Sequence, residues 1–176
     1  KVLIQNGADV NIVDKVNGST LHVAALHGHV EIAKVLIQNG ANVNIVDKYK
    51  QTALYKAAFK GHVEIAKVLI QNGAAVNAVL EDNVTPLYIA SFDGHIDLAK
   101  VLIQNGADVN IVDKYKHTAL HMASKNGHVE IVKVLIQNGA AVNAVEKSKC
   151  TPLHIVAFKG HIDVAKVLIQ NGADVN

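Results

Sequence analysis

Between Thr52 and Asn77 the chain changes its hydrophobic rhythm twice. Leu54, Ala57 and Ala58 fall at i, i+3 and i+4, one stripe of a short helix, and the two alanines are small enough to let a neighbouring helix close in. Gly61 interrupts the stripe, and a glycine takes the left-handed conformation that ends a helix at little cost. From Val63 the pattern broadens. Val63, Ile65, Ala66, Val68, Leu69 and Ile70 cover a wide apolar arc, as a helix needs when neighbours touch it on both sides. "NGAAVN" leaves this second helix through Gly73, and the polar stretch from Leu80 to Asn83 reads as a turn. The predicted unit is loop, helix, loop, helix. Its first helix starts at an N-cap residue, Ser19, Thr52, Thr85, Thr118 or Thr151; Pro86 and Pro152 follow at the first helical position, where a missing N–H costs nothing.

The unit recurs at a fixed interval. "KVLIQNG" begins at Lys1, Lys34, Lys67, Lys100, Lys133 and Lys166, a period of 33 without insertion or deletion, and such a period predicts a solenoid of stacked repeats. The longer pattern, as in "TPLYIASFDGHIDLAKVLIQNGADVN" from Thr85 to Asn110, closely resembles the ankyrin repeat family: Thr-Pro-Leu-His, an alanine pair, Gly-His, an apolar helix, then Gly-Ala-Asp-Val-Asn. Departures are small: Ser19-Thr20, Thr52-Ala53 and Thr118-Ala119 lack the proline, and Tyr55 and Tyr88 replace the histidine. The resemblance implies an all-α solenoid of helix-loop-helix repeats with β-turn or hairpin tips. It would form a single domain over 1–176: the end of a partial repeat at 1–11, then full repeats at 12–44, 45–77, 78–110, 111–143 and 144–176. Residues 45–110 resemble 111–176 more than adjacent repeats resemble each other, which fits duplication of a two-repeat block. The last helix keeps the interior type and the chain begins partway through a repeat, so we expect a fragment of a longer array or ends that meet a neighbour.

Composition narrows the classes. Half of the 176 residues are apolar, enough to bury a sizeable core, and no run approaches the ~18 apolar residues of a membrane span. The first residues lack the regions of a signal peptide, so a soluble, cytoplasmic protein is expected. Cys150, the single cysteine, cannot form an internal disulfide, which fits a reducing compartment. The net charge is +2 and all 17 basic side chains are lysine; arginine is the preferred reader of phosphates and base edges, so its absence argues against nucleic acid.

Residues that carry chemistry elsewhere have scaffold roles available here. Five Gly-His pairs, at His29, His62, His95, His128 and His161, would lie about one helix-packing distance apart, ~8–10 Å, too far to share one zinc. They are expected to cap or bridge the loop before the second helix. His22, His121 and His154 belong to the Thr-Pro-Leu-His element, which the resemblance makes hydrogen-bonded scaffold. His117 precedes the cap and is not expected to share a helix face with His121. Cys150 lacks a free base, because His154, the nearest in sequence, already has a scaffold role in the family pattern, and Ser91 and Ser124 replace the second alanine, where small size matters. The Asn-Gly-Ala elements end helices rather than cradle phosphates. No catalysis, metal or cofactor is expected. Asn11 and Asn110 resemble the site that asparaginyl hydroxylases modify in some ankyrin proteins; the alternative is an asparagine that holds the turn through side-chain bonds.

Comparing the repeats with one another shows where they differ. The second helix hardly changes, whereas variation collects at the tips and the end of the first helix: Lys15, Val16, Gly18, Leu26 and His27 and their equivalents. In ankyrin proteins these positions often touch partners, which implies binding through the concave face of tips and first helices. Phe59, four residues after Tyr55, lies away from Leu54, Ala57 and Ala58; Phe92 and Phe158 occupy the same slot, and with Leu26 they make an apolar stripe interrupted by Lys125. Such a stripe is either an interaction patch or a set of rings lying against neighbouring loops. Charges alternate along this face: Lys48 and Lys60 in the second unit, Glu81, Asp82 and Asp93 in the third, Lys114 and Lys125 in the fourth, Lys147 and Lys159 in the fifth. Tyr49 and Tyr115 sit on matching tips two repeats apart, ~20 Å, and Gln51 and His117 close the same tips. The expected function is a non-catalytic scaffold that binds a protein partner, monomeric or joined end to end through its terminal repeats, without nucleic acid or membrane. A structural or self-associating spacer is the alternative. A nucleic-acid binder fits less well, because the acidic third unit would interrupt a phosphate track. The duplication and the excess of Lys, Asn and Ile would suit an intracellular bacterium and a place in host cytoplasm.

Overall fold

In the computed structural model, which describes residues 9–176, five helix pairs follow one another along the chain. They are α1 (Thr20–His27) with α2 (Val30–Gln38), α3 (Ala53–Lys60) with α4 (Val63–Gln71), α5 (Pro86–Asp93) with α6 (Ile96–Gln104), α7 (Ala119–Lys125) with α8 (Val129–Gln137), and α9 (Pro152–Lys159) with α10 (Ile162–Gln170). Of the partial repeat expected at 1–11, residues 1–8 lie outside the described residues. The described residues contain no strand; the one antiparallel bridge joins Val13 to Ser19, so the tips are turns rather than extended hairpins.

Each first helix starts where its cap predicts. The hydroxyls of Thr52, Thr85, Thr118 and Thr151 accept the backbone N–H three residues on, at 3.1, 3.1, 3.3 and 3.4 Å. Where that third residue is histidine, its ring reaches back: Nδ1 of His22, His121 and His154 accepts the cap residue's own N–H, the part glutamate plays in a capping box. Four first helices stop at a left-handed glycine, Gly28, Gly61, Gly94 or Gly160; α7 instead stops at Lys125, with Asn126 as its cap at φ −102°. At Gly61 two demands coincide. Its φ is +70°, and a Cβ there would stand 2.6 Å from Nδ1 of His95.

That contact explains the Gly-His pairs. The histidine does not cap the second helix, since no side-chain cap bond forms at His62, His128 or His161. It bridges backwards: Nε2 of His62, His128 and His161 donates to the carbonyls of Leu26, Phe92 and Lys125, near the end of the preceding first helix, at 3.2, 3.0 and 3.1 Å. The core between units is made by Leu21, Leu54, Leu87 and Leu120 with the alanine pairs, and behind them by Leu69, Leu102 and Leu135 of the second helices, all at most 2% exposed. First helices pack against one another more extensively than second helices do. Small alanines permit that approach, and closer spacing on one side bends the stack towards the first helices and tips.

The asparagines ending "VN" do more than hold a turn. Asn11, Asn44, Asn77, Asn110 and Asn143 each donate from Nδ2 to the carbonyl of the next unit's glycine, Gly40, Gly73, Gly106, Gly139 or Gly172, at 2.9–3.1 Å. Each also accepts, through Oδ1, the N–H two residues beyond that glycine, at 2.8–3.0 Å. The result is a ladder of side-chain clamps between repeats, in the loops that lead from each second helix towards the next tip.

Candidate functional site

At the tips a buried acid organises the turn. Asp47 accepts the N–H groups of Tyr49 and Gln51, Asp113 those of Tyr115 and His117, and Glu146 those of Ser148 and Cys150, at 2.8–3.0 Å. The chain must then turn back through a left-handed residue, Asn17, Lys50, Asn83, Lys116 or Lys149, with φ between 58° and 67°. Neighbouring tips are tied by backbone bonds from Lys48 N to Val16 O, Lys114 N to Asp82 O and Lys147 N to Tyr115 O, at 2.9–3.0 Å. The tyrosines are thereby fixed on a stacked row of turns.

Electrostatics hold the acids in place. Burial alone would raise the Asp47 carboxyl, but Lys56, 2.9 Å away, and two backbone amides outweigh it and keep the group below the usual carboxylate range. The Lys56 ammonium also meets Oε1 of Gln51. Asp113 behaves alike: burial works against its charge, while the two amides, Nδ1 of His117 at 3.1 Å and the hydroxyl of Tyr88 at 3.0 Å lower its pKa overall. The same arrangement pushes the Tyr88 phenol well up, first by burial and then by the aspartate it donates to. His117 precedes the cap of α7, as expected, and shares no helix face with His121, yet the two rings meet edge to face with centroids 5.9 Å apart, because the turn held by Asp113 folds His117 back towards α7. The alternation of charge is likewise weaker than the sequence suggests: Nζ of Lys114 pairs with Oδ1 of Asp82 at 2.9 Å across adjacent tips.

Between the second and fourth units, tips and first helices enclose a groove of about 600 Å³. Its apolar wall comes from Leu80, Val84, Tyr55, Tyr88, Ile89, Phe92 and Met122, and its rim carries Tyr49, Gln51, Glu81, Asp82, Asp113, Tyr115, His117 and Lys125. A second hollow of about 450 Å³ continues along the same face between His117, Lys125, Glu146, Cys150, His154, Ile155, Phe158 and Lys159. Leu26, Lys48, Phe59, Lys60, Asp93, Lys114 and Lys147 line neither hollow. Phe59, Phe92 and Phe158 are 43%, 38% and 85% exposed. Four of the exposed rings carry an ammonium: Lys48 over Tyr49, Lys60 over Phe59, Lys147 over Tyr115 and Lys159 over Phe158, at 4.8–5.6 Å from the centroid. Phe92, followed by Asp93, has none among the described residues.

The sequence pattern did not single out Tyr55, Leu80, Val84, Tyr88 or Asp113 for the groove, nor one helical slot that recurs along it, that of Ile89, Met122 and Ile155. The signal was available: Tyr88 with Ile89 and Phe92 forms an i, i+1, i+4 set on one face. In the second unit the slot holds Lys56, drawn away to Asp47. As for reactive groups, the Cys150 thiol is pushed up by burial and by Glu146, which disfavours the nucleophilic thiolate. Nδ1 of His154 is engaged by the Thr151 hydroxyl at 2.8 Å. The hydroxyls of Ser91 and Ser124 lie buried in the helix interface. What this face offers is apolar surface, aromatic edges and ammonium groups.

A solenoid of paired helices with a row of turn tips and a side-chain ladder between its repeats is the architecture of a repeat scaffold. A family model described as "Ankyrin repeats (3 copies)" matches residues 1–80, 21–113 and 87–176, so the chain belongs to the ankyrin repeat family. Ankyrin repeats are in general protein–protein interaction modules and typically non-catalytic. No curated protein matches the chain. Among the described residues no helix is long and apolar enough to cross a membrane.

Proposed function

We propose that this domain, over 1–176, is a non-catalytic interaction scaffold whose protein partner lies along the concave face of tips and first helices. One observation carries the reading: the groove of about 600 Å³ is walled by apolar side chains of four different tips and helices, on the one face where the repeats differ from each other. On this reading Tyr49, Gln51, Glu81, Asp82, Phe92, Tyr115, His117 and Lys125 contact the partner in the main groove, and Phe158 and Lys159 in the second hollow. Leu26, Lys48, Phe59, Lys60, Asp93, Lys114 and Lys147 form the margin. The domain works in the cytoplasm, as a monomer, without cofactor or nucleic acid.

Affinity capture from the source cell tests this. The intact domain should retain a partner that a Tyr49→Ala/Tyr115→Ala variant loses, while a control with Glu64→Ala/Glu130→Ala, exposed on α4 and α8, should retain it. Equal retention by both variants would overturn the assignment of the face.

A further inference from the structure

Resting on that reading, we propose that the occupant of the groove is an acidic peptide segment with an apolar centre. The free charges on this face are mostly positive. Four acids of the tips are already engaged: Asp47 by Lys56, Asp82 by Lys114, Asp113 by Tyr88 and His117, and Glu146 by two backbone amides, which leaves Glu81 and Asp93, both in the third unit, as the negative charges at the centre of the face. Lys56 and Lys114 are spent on those pairs, but five other lysines of this face are not. Lys48, Lys60, Lys125, Lys147 and Lys159 are all exposed and pair with no carboxylate among the described residues. Four of them lie over exposed aromatic rings, so their ammonium groups are held at the surface rather than swinging free.

Position matters as much as number. Lys48 and Lys60 flank one end of the groove in the second unit, and Lys125, Lys147 and Lys159 the other end in the fourth and fifth. Between them lie Ile89, Phe92 and Met122, beside Glu81. A segment matching this surface has carboxylates at both ends and an uncharged apolar residue in the middle, where Glu81 would repel another acid. From the second tip to the fifth is three repeat spacings, roughly 30 Å at one helix-packing distance each, which an extended chain covers in about nine residues. Nucleic acid meets the two positive ends less well. Its phosphates continue through the centre past Glu81, and the face has no arginine to grip them.

Selection from a displayed library of random nine-residue peptides tests the chemistry without assuming a sequence. Enriched peptides should carry Asp or Glu at both ends and an apolar residue centrally. Their affinity should fall about tenfold between 50 and 500 mM salt and at least about tenfold for Lys125→Glu/Lys147→Glu, whose melting should stay close to the parent's because neither exposed lysine pairs with a carboxylate. Enriched peptides that are neutral or basic, yet lose binding with Tyr49→Ala/Tyr115→Ala, would overturn the acidic occupant and leave the groove as the binding face. Peptides indifferent to both variants, or no enrichment, would overturn the occupant and the face together. Tight binding of a labelled ten-nucleotide single strand in preference to the peptides would also overturn the proposal.

Discussion

The asparagine ladder and the row of tips, the two lines along which the repeats join, are built by opposite rules. Along the ladder every unit repeats the same clamp: an asparagine gives and takes a hydrogen bond with the next repeat, and a second asparagine, Asn39, Asn72, Asn105, Asn138 or Asn171, caps its own helix by donating to the carbonyl four residues back at 2.7–2.8 Å. Along the tips the turns keep one backbone shape, yet their side chains change from Lys-Tyr to Glu-Asp to Lys-Tyr to Lys-Ser. Where stacking is the task, identical chemistry solves it in every unit. Where the side chains reach past the stack, identity serves no structural purpose and variation accumulates.

If this contrast is right, substitutions should sort by the line they fall on. The largest effect belongs to the shared core: Leu87, 1% exposed between neighbouring units, should cost ~2–5 kcal/mol when replaced by alanine, read as a lower denaturant midpoint. Next comes the ladder. Asn77→Ala removes two bonds to the following repeat and should cost about 1–2 kcal/mol in the same assay, although the residue is exposed. An unchanged midpoint would mean the ladder is decorative.

Acid should loosen the tip side of the scaffold first. Burial holds His22 and His121 below the ordinary histidine value, so each favours its neutral form when folded. A depressed histidine contributes stability that is present above its unfolded value of 6.5 and lost as pH falls below it towards the folded value. Melting temperature should therefore drop from about pH 6.5 downward, and fall again near pH 4 and below as the lowered Asp47 and Asp113 take up protons. Replacing His22 with Gln should flatten the upper limb. The smallest effect is a gain: Ser91→Ala removes a buried hydroxyl without a partner from a slot that holds Ala58 in the second unit, and should stabilise by about 1 kcal/mol.

Much of this was legible in the sequence because each signal is local. Thr52 as a cap, Gly61 as a stop and Leu54 with Ala57 and Ala58 as a core stripe are all decided within a few residues, and five copies reinforce each one. Features that join units were harder to read. Asn77 looks like a turn residue until Gly106 and Asp108 are brought beside it, and the Lys114–Asp82 pair spans a stacking register that sequence spacing does not express. His62 reads as a cap or a bridge of its own loop, and only the stacked neighbour shows its ring reaching the Leu26 carbonyl. At the groove, the rings of Phe92 and Tyr115 stood out as rare residues on an outer face. Ile89 and Met122 did not, since an aliphatic residue next to the core stripe reads as more core.

The division of labour between the ladder and the tips is tested most directly by measuring melting and partner affinity on the same two proteins, Tyr49→Ala/Tyr115→Ala and Asn77→Ala. The tyrosines are 56% and 49% exposed on backbone-held tips, so the first protein should melt within a few degrees of the parent while its affinity drops about tenfold or more. The second should melt clearly lower and, where folded, bind as the parent does. A tyrosine variant that melts far below the parent, or one that melts normally and binds with full affinity, would contradict the account.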